Sequence, residues 1–384
     1  MTSSVPASPV AMDTSYGRDA AAGDYYNNND NASYTYNYDD YYELSAEEEA
    51  ADAISRYVAP FLLFTGLAGN VLSLLVHVRL GRAHMSTCYY LAALAVVDSL
   101  LLVHRLGSDW ARHAFKTDLQ AAVQNRSELT CQLFNLATSF LLHFSHWLLA
   151  VAVLEVALAR ARPKRVDKIC RRPERVKNVT LTVVLFLVLV NAHFFWTYGL
   201  MSAVQYSDEL FCTFTSKGGS YADVFRHRIW PVMDLVVASA LPDAVIVASV
   251  VCILRRRRDD VTTRDVNITS ARDVHHVART CVALGVAAVL LTLPENAYSV
   301  FEFLCENRVY VVDNTDLTAL ARRILGQTVC FTCHDIFIAS KVLFYVACWP
   351  RFRSCAVEVI KCTNEKRQRN RADRKCTSNQ ASRR

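Results

Sequence analysis

The sequence predicts an all-α protein in which seven transmembrane helices form a bundle, followed by a short amphipathic eighth helix. Hydrophobic residues make up 52% of the 384 residues, and they are concentrated in runs of membrane length. Crossing the hydrocarbon of a bilayer, about 30 Å, takes roughly 20 helical residues. The runs also lack the alternation of apolar and polar residues that membrane β-strands show. Helices are therefore favoured over a barrel.

Each predicted span can satisfy its own backbone hydrogen bonds as a helix, as a chain in lipid must. The fourth is the clearest, because LTVVLFLVLV contains neither a charge nor a helix breaker. The second contains Asp98, and the seventh contains Asp335 and Lys341. Buried helices of a large soluble protein are the alternative interpretation. The predicted spans are Tyr57–Val78, Thr87–Leu106, Cys131–Ala159, Val179–Leu200, Ile229–Leu254, Val277–Leu304 and Ile324–Trp349.

Basic residues predict the orientation of the bundle. The loop between spans three and four is rich in Lys and Arg, and the loop after span five begins with arginines at 255–258. Cytoplasmic loops carry such an excess, so we expect a multi-pass plasma-membrane protein with an extracellular N-terminus. Anionic lipid at that face accounts for the net charge of +6 without nucleic acid. Residues 1–52 show no cleaved signal peptide, so the first span is expected to direct insertion.

Composition divides the chain into three parts. Residues 1–53 are acidic, rich in Tyr and Asn and poor in branched aliphatic residues, which predicts a disordered extracellular tail. Residues 54–350 contain the bundle, and residues 351–384 contain the amphipathic helix and a basic cytoplasmic tail. The acidic run NYDDYYEL is either a solvated part of the tail or, with sulfated tyrosines, a docking strip for a basic ligand.

Sequons and cysteines test the same topology. Asn31 and Asn125 lie in extracellular sequons and are expected to accept glycans, whereas Asn178 and Asn267 would be cytoplasmic. Cys131 and Cys212 both face the oxidising side and can pair. Cys355 and Cys362 follow the last span, where they are either palmitoylated or plain reduced thiols.

Several short motifs occur in a fixed order along the spans. Span one contains Asn70 after a glycine, span two contains LAVVD ending at Asp98, and span three begins at Cys131 and continues through SHWLLAVAVLE to Glu155. Prolines lie in spans five and six, and Tyr345 precedes a phenylalanine by seven residues. In this order the chain resembles a rhodopsin-like (class A) G-protein-coupled receptor over roughly residues 57–362. The run NAHFFWTYG is similar to invertebrate neuropeptide receptors.

The chain also departs from that family at positions linked to activation. Val156 stands where the family has the arginine after Glu155, and Val250 stands where span five has a tyrosine. Thr292 replaces the span-six tryptophan, and Lys341 replaces the asparagine of the Asn-Pro-x-x-Tyr motif. These departures oppose coupling to a G protein more than they oppose the architecture.

The resemblance implies a sodium-site and switch region and a G-protein face. The first comprises Asn70, Asp98, Ser145, Lys341 and Tyr345. The ammonium of Lys341 either replaces the ion beside Asp98 or snorkels to the inner face along its aliphatic stem. Glu155 and Val156 would lie at the G-protein face.

Four carboxylates mark the expected ligand-binding pocket in the outer half of the bundle. Such carboxylates repel one another unless a cation lies between them, so a basic or amidated peptide is the expected ligand. Local pairing with Arg105, Arg322 or Arg323 is the alternative. The candidate ligand-binding residues are Gln132, Thr138, Asp234, Glu295, Asn296, Tyr298, Glu302 and Asp335.

A cell-surface receptor for a basic neuropeptide, signalling through a heterotrimeric G protein or arrestin, is the leading functional interpretation. A seven-helix decoy, scaffold or binding protein without G-protein coupling is the alternative. A transporter is disfavoured, because the sequence has no internal repeat. Membrane lipid is the other expected partner. The sequence has no catalytic triad, phosphate loop or metal-ligand spacing, so no enzymatic activity, cofactor or metal is expected.

Overall fold

The computed structural model describes residues 45–83, 86–161, 173–202, 210–215, 224–256, 268–306 and 317–361. Within these ranges seven helices are long and apolar enough to cross a membrane. The predicted bundle of seven membrane-length helices is thus confirmed, and the chain has the structure of a multi-pass membrane protein. Residues 1–44 and 362–384, which include Asn31 and Cys362, lie outside the described residues.

The seven helices are numbered α1–α7 in chain order. Helix α1 comprises Ala46–Ala53, a π-helical turn Ile54–Val58 and Ala59–Ala83. Helix α2 comprises Thr87–Leu102, a π-helical turn Val103–Gly107 and Ser108–Phe115. Helices α3 and α4 are Glu128–Ala161 and Pro173–Asn191. Helix α5 comprises Phe225–Ile229, Trp230–Leu235, Val236–Ala240 and Leu241–Arg256, and α6 and α7 are Ile268–Glu306 and Leu317–Cys348.

Helix α1 begins inside the segment that was expected to be disordered. The Ser45 side chain accepts a hydrogen bond from the Glu48 backbone N–H, and the Glu48 carboxylate accepts one from the Ser45 N–H. This capping box satisfies two backbone donors that a helix start leaves free. Glu47 also lies 3.3 Å from Arg322 on α7. Helical structure therefore begins at Ala46, inside the segment predicted as the tail.

A β-hairpin interrupts the expected all-helical chain after α4. Strand β1, Tyr198–Ser202, pairs antiparallel with β2, Leu210–Phe214, and Leu200 lies opposite Cys212. The fourth predicted span ended at Leu200, but α4 ends at Asn191 and is followed only by the short turn Phe194–Thr197. We call the end of the bundle that carries this hairpin the hairpin end, and the other end the C-terminal end.

A π-helical turn accommodates a proline in α5. Pro242 has no N–H to offer the carbonyl four residues earlier, and its ring would clash with that carbonyl in a regular helix. The turn Val236–Ala240 ends just before this proline, and its wider radius relieves the clash. The sequence predicted the helix but not the change of winding within it.

Helix α3 is the centre of the bundle, whereas α4 lies at its periphery. In the most apolar stretch of 18 residues, 67% of α3 is buried within the protein, compared with 22% of α4. Helix α1 approaches α7 closely at Gly69, where an added Cβ would lie 2.7 Å from Val342 Cγ1. Helix α6 approaches α5 at Gly285, where an added Cβ would lie 2.9 Å from Ile246 and Val250. Small residues at such crossings allow close backbone packing in membranes.

The chain continues as a helix beyond α7. Residues 350–361 are helical, and Phe352, Cys355 and Ala356 are buried against the bundle. Glu358 lies 2.8 Å from Arg79 at the end of α1. These contacts hold the segment against the C-terminal end of the bundle.

Candidate functional site

Arg105 on α2 stands between two of the carboxylates predicted to bind a ligand. Its Nη1 lies 3.4 Å from Glu295 Oε1 on α6, and its Nε lies 3.2 Å from Asp335 Oδ1 on α7. The guanidinium also lies over the Phe331 ring, 5.2 Å from the ring centroid. Side-chain exposures of 16% for Arg105, 13% for Glu295 and 6% for Asp335 place this group inside the bundle.

The other two predicted carboxylates also have basic neighbours. Glu302 Oε1 lies 3.2 Å from Arg323 Nη2, and Asp234 Oδ1 lies 2.9 Å from His143 Nε2. The second nitrogen of His143 is 3.2 Å from the Asn191 amide, which fixes the ring from α4. All four carboxylates therefore already contact a basic side chain of the same chain. This arrangement is the local pairing that the sequence analysis gave as the alternative to a cation from a ligand.

The remaining predicted pocket residues are distributed around this charged group. Gln132 donates to the backbone carbonyls of Phe195 and Tyr198, which ties α3 to the start of the hairpin. Thr138 Oγ1 lies 3.0 Å from His104 Nε2 on α2. The Tyr298 hydroxyl donates to the Arg323 carbonyl at 3.4 Å. Asn296 is half-buried on α6, next in sequence to Glu295.

Asp98 and Lys341 form a buried ion pair deeper in the bundle. The Lys341 ammonium lies 2.9 Å and 2.8 Å from the two carboxylate oxygens of Asp98, and Ser145 donates to one of them at 2.7 Å. The side chains are 2% and 1% exposed, so Lys341 does not snorkel. Three helices, α2, α3 and α7, thus meet at one charged pair. Lys341 also lies 4.6 Å from the centroid of the Phe337 ring.

The two other residues of the predicted switch region lie outside this pair. The Asn70 amide nitrogen is buried on α1 and has no hydrogen-bond partner within the described ranges. Tyr345 packs edge-on against the His77 ring, at 4.5 Å between centroids, and against Phe352 at 5.3 Å. Tyr345 therefore joins α7 to α1 and to residues 350–361.

The residues predicted at the G-protein face point into the protein. The Glu155 carboxylate accepts hydrogen bonds from the hydroxyls of Ser86 and Thr87, at the start of α2. Val156 is fully buried. An acid that accepts two hydroxyl donors in a buried site is held firmly, because loss of either partner leaves a polar group unsatisfied. Glu155 therefore fastens α3 to α2 at the C-terminal end of the bundle.

A disulfide joins the hairpin to the start of α3. Cys131 and Cys212 are bonded, with a separation of 81 residues. Asn135 reinforces the junction, since its amide donates to the Cys131 carbonyl at 2.9 Å and lies 3.3 Å from the Cys212 sulfur. The disulfide therefore holds the hairpin against α3, close to the hydrogen bonds from Gln132 to Phe195 and Tyr198.

Asn125 lies at the hairpin end, whereas Asn178 lies on α4 near the C-terminal end. The Asn125 side-chain oxygen accepts the Cys212 backbone N–H at 2.8 Å, and a glycan would attach to the other atom of the amide, its nitrogen. In the predicted topology the hairpin end is extracellular, so Asn125 but not Asn178 is accessible to the glycosylation machinery.

We expect Asn125→Gln to remove one glycan, seen as a gel shift that glycosidase treatment abolishes in the parent chain. Asn178→Gln is the matched control and should leave the mobility unchanged. Loss of a glycan from Asn178→Gln would contradict the predicted orientation.

Cys355 is a poor candidate for palmitoylation. It is only 7% exposed and packs in the core beside Phe352 and Ala356. Burial raises the pKa of its thiol, which lowers the thiolate fraction that an acyl transfer requires. Of the two interpretations given for Cys355, this burial favours the plain reduced thiol.

His334 is the main charged-site residue that the sequence analysis missed. Its Nδ1 lies 2.5 Å from Glu295 Oε2, and its ring lies 5.1 Å from that of His146 on α3. The signal was present in the sequence, because His334 adjoins Asp335 in a membrane span. Ionisable residues in such spans usually face the bundle interior and mark functional sites.

No group of three or more potential metal ligands occurs among the described residues. Comparison of the sequence with models of known protein families gives no match, and comparison with curated proteins gives no significant match.

Proposed function

We propose that this chain is a plasma-membrane receptor that binds an extracellular peptide and signals through a heterotrimeric G protein or arrestin. The observation that carries the proposal is the convergence of charged side chains from α2, α6 and α7 beneath a hairpin fixed to α3 by a disulfide. Concave sites with a few convergent polar groups are the usual ligand sites of helical bundles. The rhodopsin-like arrangement of sequence motifs supports the same class of protein.

In this proposal the hairpin end faces the outside of the cell. Exposed basic residues lie at the other end, at Arg79, Lys177, Arg255 and Arg353, as expected for a cytoplasmic face. Residues 350–361 would then lie at the inner membrane interface as an amphipathic eighth helix. Val357 and Ile360 are about half exposed and would contact lipid.

The ion pairs at the hairpin end suggest how a basic or amidated peptide would act. A positive group on the peptide must compete with Arg105 for Glu295 and Asp335, because both carboxylates already contact that guanidinium. Exchange of these partners would release α2 from α6 and α7. A ligand shifts a conformational equilibrium only through such a difference in binding between two states.

The buried Asp98–Lys341 pair would hold the resting arrangement. In the rhodopsin-like family, sodium occupies the position beside the corresponding aspartate. Here the ammonium of Lys341 is part of the chain, so it is present at every salt concentration. The proposed receptor is thus independent of sodium, unlike the family members that it resembles.

A cell assay tests the proposed function. Cells expressing the full chain would be exposed to a library of basic and C-terminally amidated peptides, with sensors for several G-protein classes and for arrestin. We expect a concentration-dependent response from at least one peptide. The matched variant Asp335→Asn, at equal surface expression, should lower the potency of that peptide, because it removes one of the exchanged carboxylates.

A binding protein without G-protein coupling is the second candidate. Its support is the C-terminal end of α3, where Val156 is buried and Glu155 is bonded to Ser86 and Thr87. Peptide binding at the cell surface without any G-protein or arrestin signal would favour this candidate. A robust G-protein signal would eliminate it.

A further inference from the structure

The pairing of Arg105 with Asp335 leaves two buried polar atoms without hydrogen bonds. Arg105 Nε lies 3.2 Å from Asp335 Oδ1, but the two atoms form no hydrogen bond, and Oδ1 accepts none from any other group in the described ranges. Arg105 Nη2 is also buried and donates to no described residue. One acceptor and one donor are therefore unpaired within the same ion pair.

The planar shape of the guanidinium places these two atoms near each other. Nε and Nη2 form one edge of the group, and Asp335 Oδ1 lies beside that edge, 3.2 Å from Nε. Nη1 is already used, since it donates to Glu295 at 3.4 Å. The N–H bonds of a guanidinium point within its plane, so a partner for Nη2 lies in that plane and not above it, where the Phe331 ring lies.

Neighbouring polar side chains are engaged elsewhere. The Thr138 hydroxyl lies 3.0 Å from His104 Nε2, and His334 Nδ1 lies 2.5 Å from Glu295 Oε2. Leaving a buried donor or acceptor unpaired is unfavourable, and such atoms in a native protein indicate a partner from outside the chain.

The winding of α2 singles out the same residue. Arg105 lies in the π-helical turn Val103–Gly107, where the additional residue in the turn changes the direction of the side chains. Turns of this kind occur frequently at functional sites. The irregular turn and the unpaired donor therefore point to Arg105 independently of each other.

The unpaired atoms require a partner that offers an acceptor and a donor side by side. A carboxylate has acceptors only and would place an oxygen against Asp335 Oδ1, whereas an ammonium or guanidinium has donors only and would place one against Arg105 Nη2. A trans peptide bond points its C=O and N–H in opposite directions, so it reaches only one of the two atoms. A primary carboxamide presents C=O and N–H on the same edge of one planar group and meets both.

We propose, resting on the proposed receptor function, that Arg105 and Asp335 form a subsite for a primary carboxamide of the extracellular peptide. The carboxamide oxygen accepts from Arg105 Nη2, and the carboxamide NH2 group donates to Asp335 Oδ1. The carboxamide binds the ion pair as it stands in the structure, before a positive group of the peptide competes with Arg105 for Glu295. A C-terminal amide and the side chain of Asn or Gln both carry this group.

The test measures the retention of peptides by the purified full chain in lipid nanodiscs, with empty nanodiscs as the background. Four pools of random hexapeptides are the probes. Three pools lack Asn and Gln and end in a primary amide, a free carboxylate or an N-methylamide. The fourth ends in a free carboxylate and contains Asn and Gln. Mass spectrometry quantifies the peptides that are retained.

We expect the primary-amide pool to be retained at least about tenfold better than the free-acid pool, because a buried group left unpaired weakens binding by a factor of that order. The N-methylamide pool should resemble the free-acid pool, since its remaining N–H is trans to the carbonyl. Better retention of the fourth pool than of the free-acid pool would assign the subsite to an Asn or Gln side chain. Equal retention of all four pools, or no retention above empty nanodiscs, would overturn the proposal.

The variant Arg105→Lys separates recognition of the carboxamide from the charge of the site. Lysine keeps a positive charge between the carboxylates but has no planar fork, so the preference for primary amides over acids should disappear. Arg112→Lys is the matched control, since Arg112 lies on the same helix 3.3 Å from Asp118, and it should keep the parent preference. Retention of the parent preference by Arg105→Lys would also overturn the proposal. If Arg105→Lys does not fold, the comparison of pools on the parent chain still decides.

The retention assay does not depend on signalling. Amide-selective retention without a G-protein or arrestin response in cells would support the subsite and contradict the signalling part of the proposed function. A response in cells without amide-selective retention would support the receptor function and overturn the subsite.

Discussion

Replacing Asp98 by Asn is expected to reduce the folded yield of the protein severely. The substitution leaves the Lys341 ammonium buried without its carboxylate partner, and breaking a buried pair from one side typically costs about 3–5 kcal/mol. Lys341→Asn should cost a similar amount, since it strands Asp98. The double variant should recover much of the yield, because neither charge remains. Thermal unfolding midpoints and folded yields of the four proteins form the double-mutant cycle.

Asp234→Asn is the matched control for this cycle. Asp234 is also a carboxylate in a membrane helix, but its side chain is 39% exposed and its partner is a histidine that can become neutral. A much smaller loss is therefore expected. Additive effects of Asp98→Asn and Lys341→Asn on stability would show that the two charges are not coupled.

The same variants test the independence from sodium. The parent chain should have the same thermal midpoint in sodium chloride and in the chloride of a bulky organic cation at equal ionic strength. Lys341→Asn empties the position beside Asp98, and binding of an ion to the folded state alone stabilises that state. Sodium should then raise the midpoint of Lys341→Asn. Equal sodium sensitivity of the two proteins would contradict the role given to Lys341.

The second large effect is expected at the disulfide. Cys212→Ser should lower the stability by about 2–4 kcal/mol, because the bond closes a long loop of 81 residues. The hairpin would also lose its attachment to α3, so surface expression should fall. Thermal unfolding measures the loss of stability, and cell-surface labelling measures the loss of expression.

Cys333→Ser serves as the control for the disulfide, since Cys333 is a free, partly buried thiol on α7. Its stability and surface expression should remain near those of the parent chain. Rapid labelling of both Cys131 and Cys212 by a thiol reagent in folded, non-reduced protein would show that the bond does not form.

The bundle was predictable because its signal is spread over many residues. In a bilayer, the backbone hydrogen bonds of a segment must be made within a helix or a closed barrel. A run such as LTVVLFLVLV lacks the alternation of a barrel strand, so it is predicted as a helix whatever its neighbours are. The seven spans therefore followed from composition and length. The ends of the helices depend on single residues. Ser45 and Glu48 start α1 earlier than hydropathy indicates, and the hairpin after α4 depends on pairing with a strand that lies beyond the span.

The residues of the candidate site could be predicted from the sequence more fully than the contacts between them. Asp98 and Lys341 stood out as charges in apolar runs, and the resemblance to a rhodopsin-like bundle brought them to the same depth. Which basic residue meets which carboxylate depends on side-chain directions that only the packed helices define. Arg105 was considered as one of three possible partners, and the structure places it between Glu295 and Asp335. The burial of Cys355 could not be predicted for the same reason, since a rotation of part of a turn decides whether it meets lipid or protein.

The long separation between Asp98 and Lys341 affects how the chain is made. The two residues are 243 positions apart, and at about 5–20 residues per second a ribosome needs about 12–50 s to synthesise that length. During this interval α2 must enter the membrane with its carboxylate unmatched, or wait beside the translocation machinery. Nascent chains that stop before α7 should therefore stay associated with that machinery and be degraded. Because α7 is translated last and carries the partner of the charge on α2, we expect the bundle to become stable only when synthesis is complete.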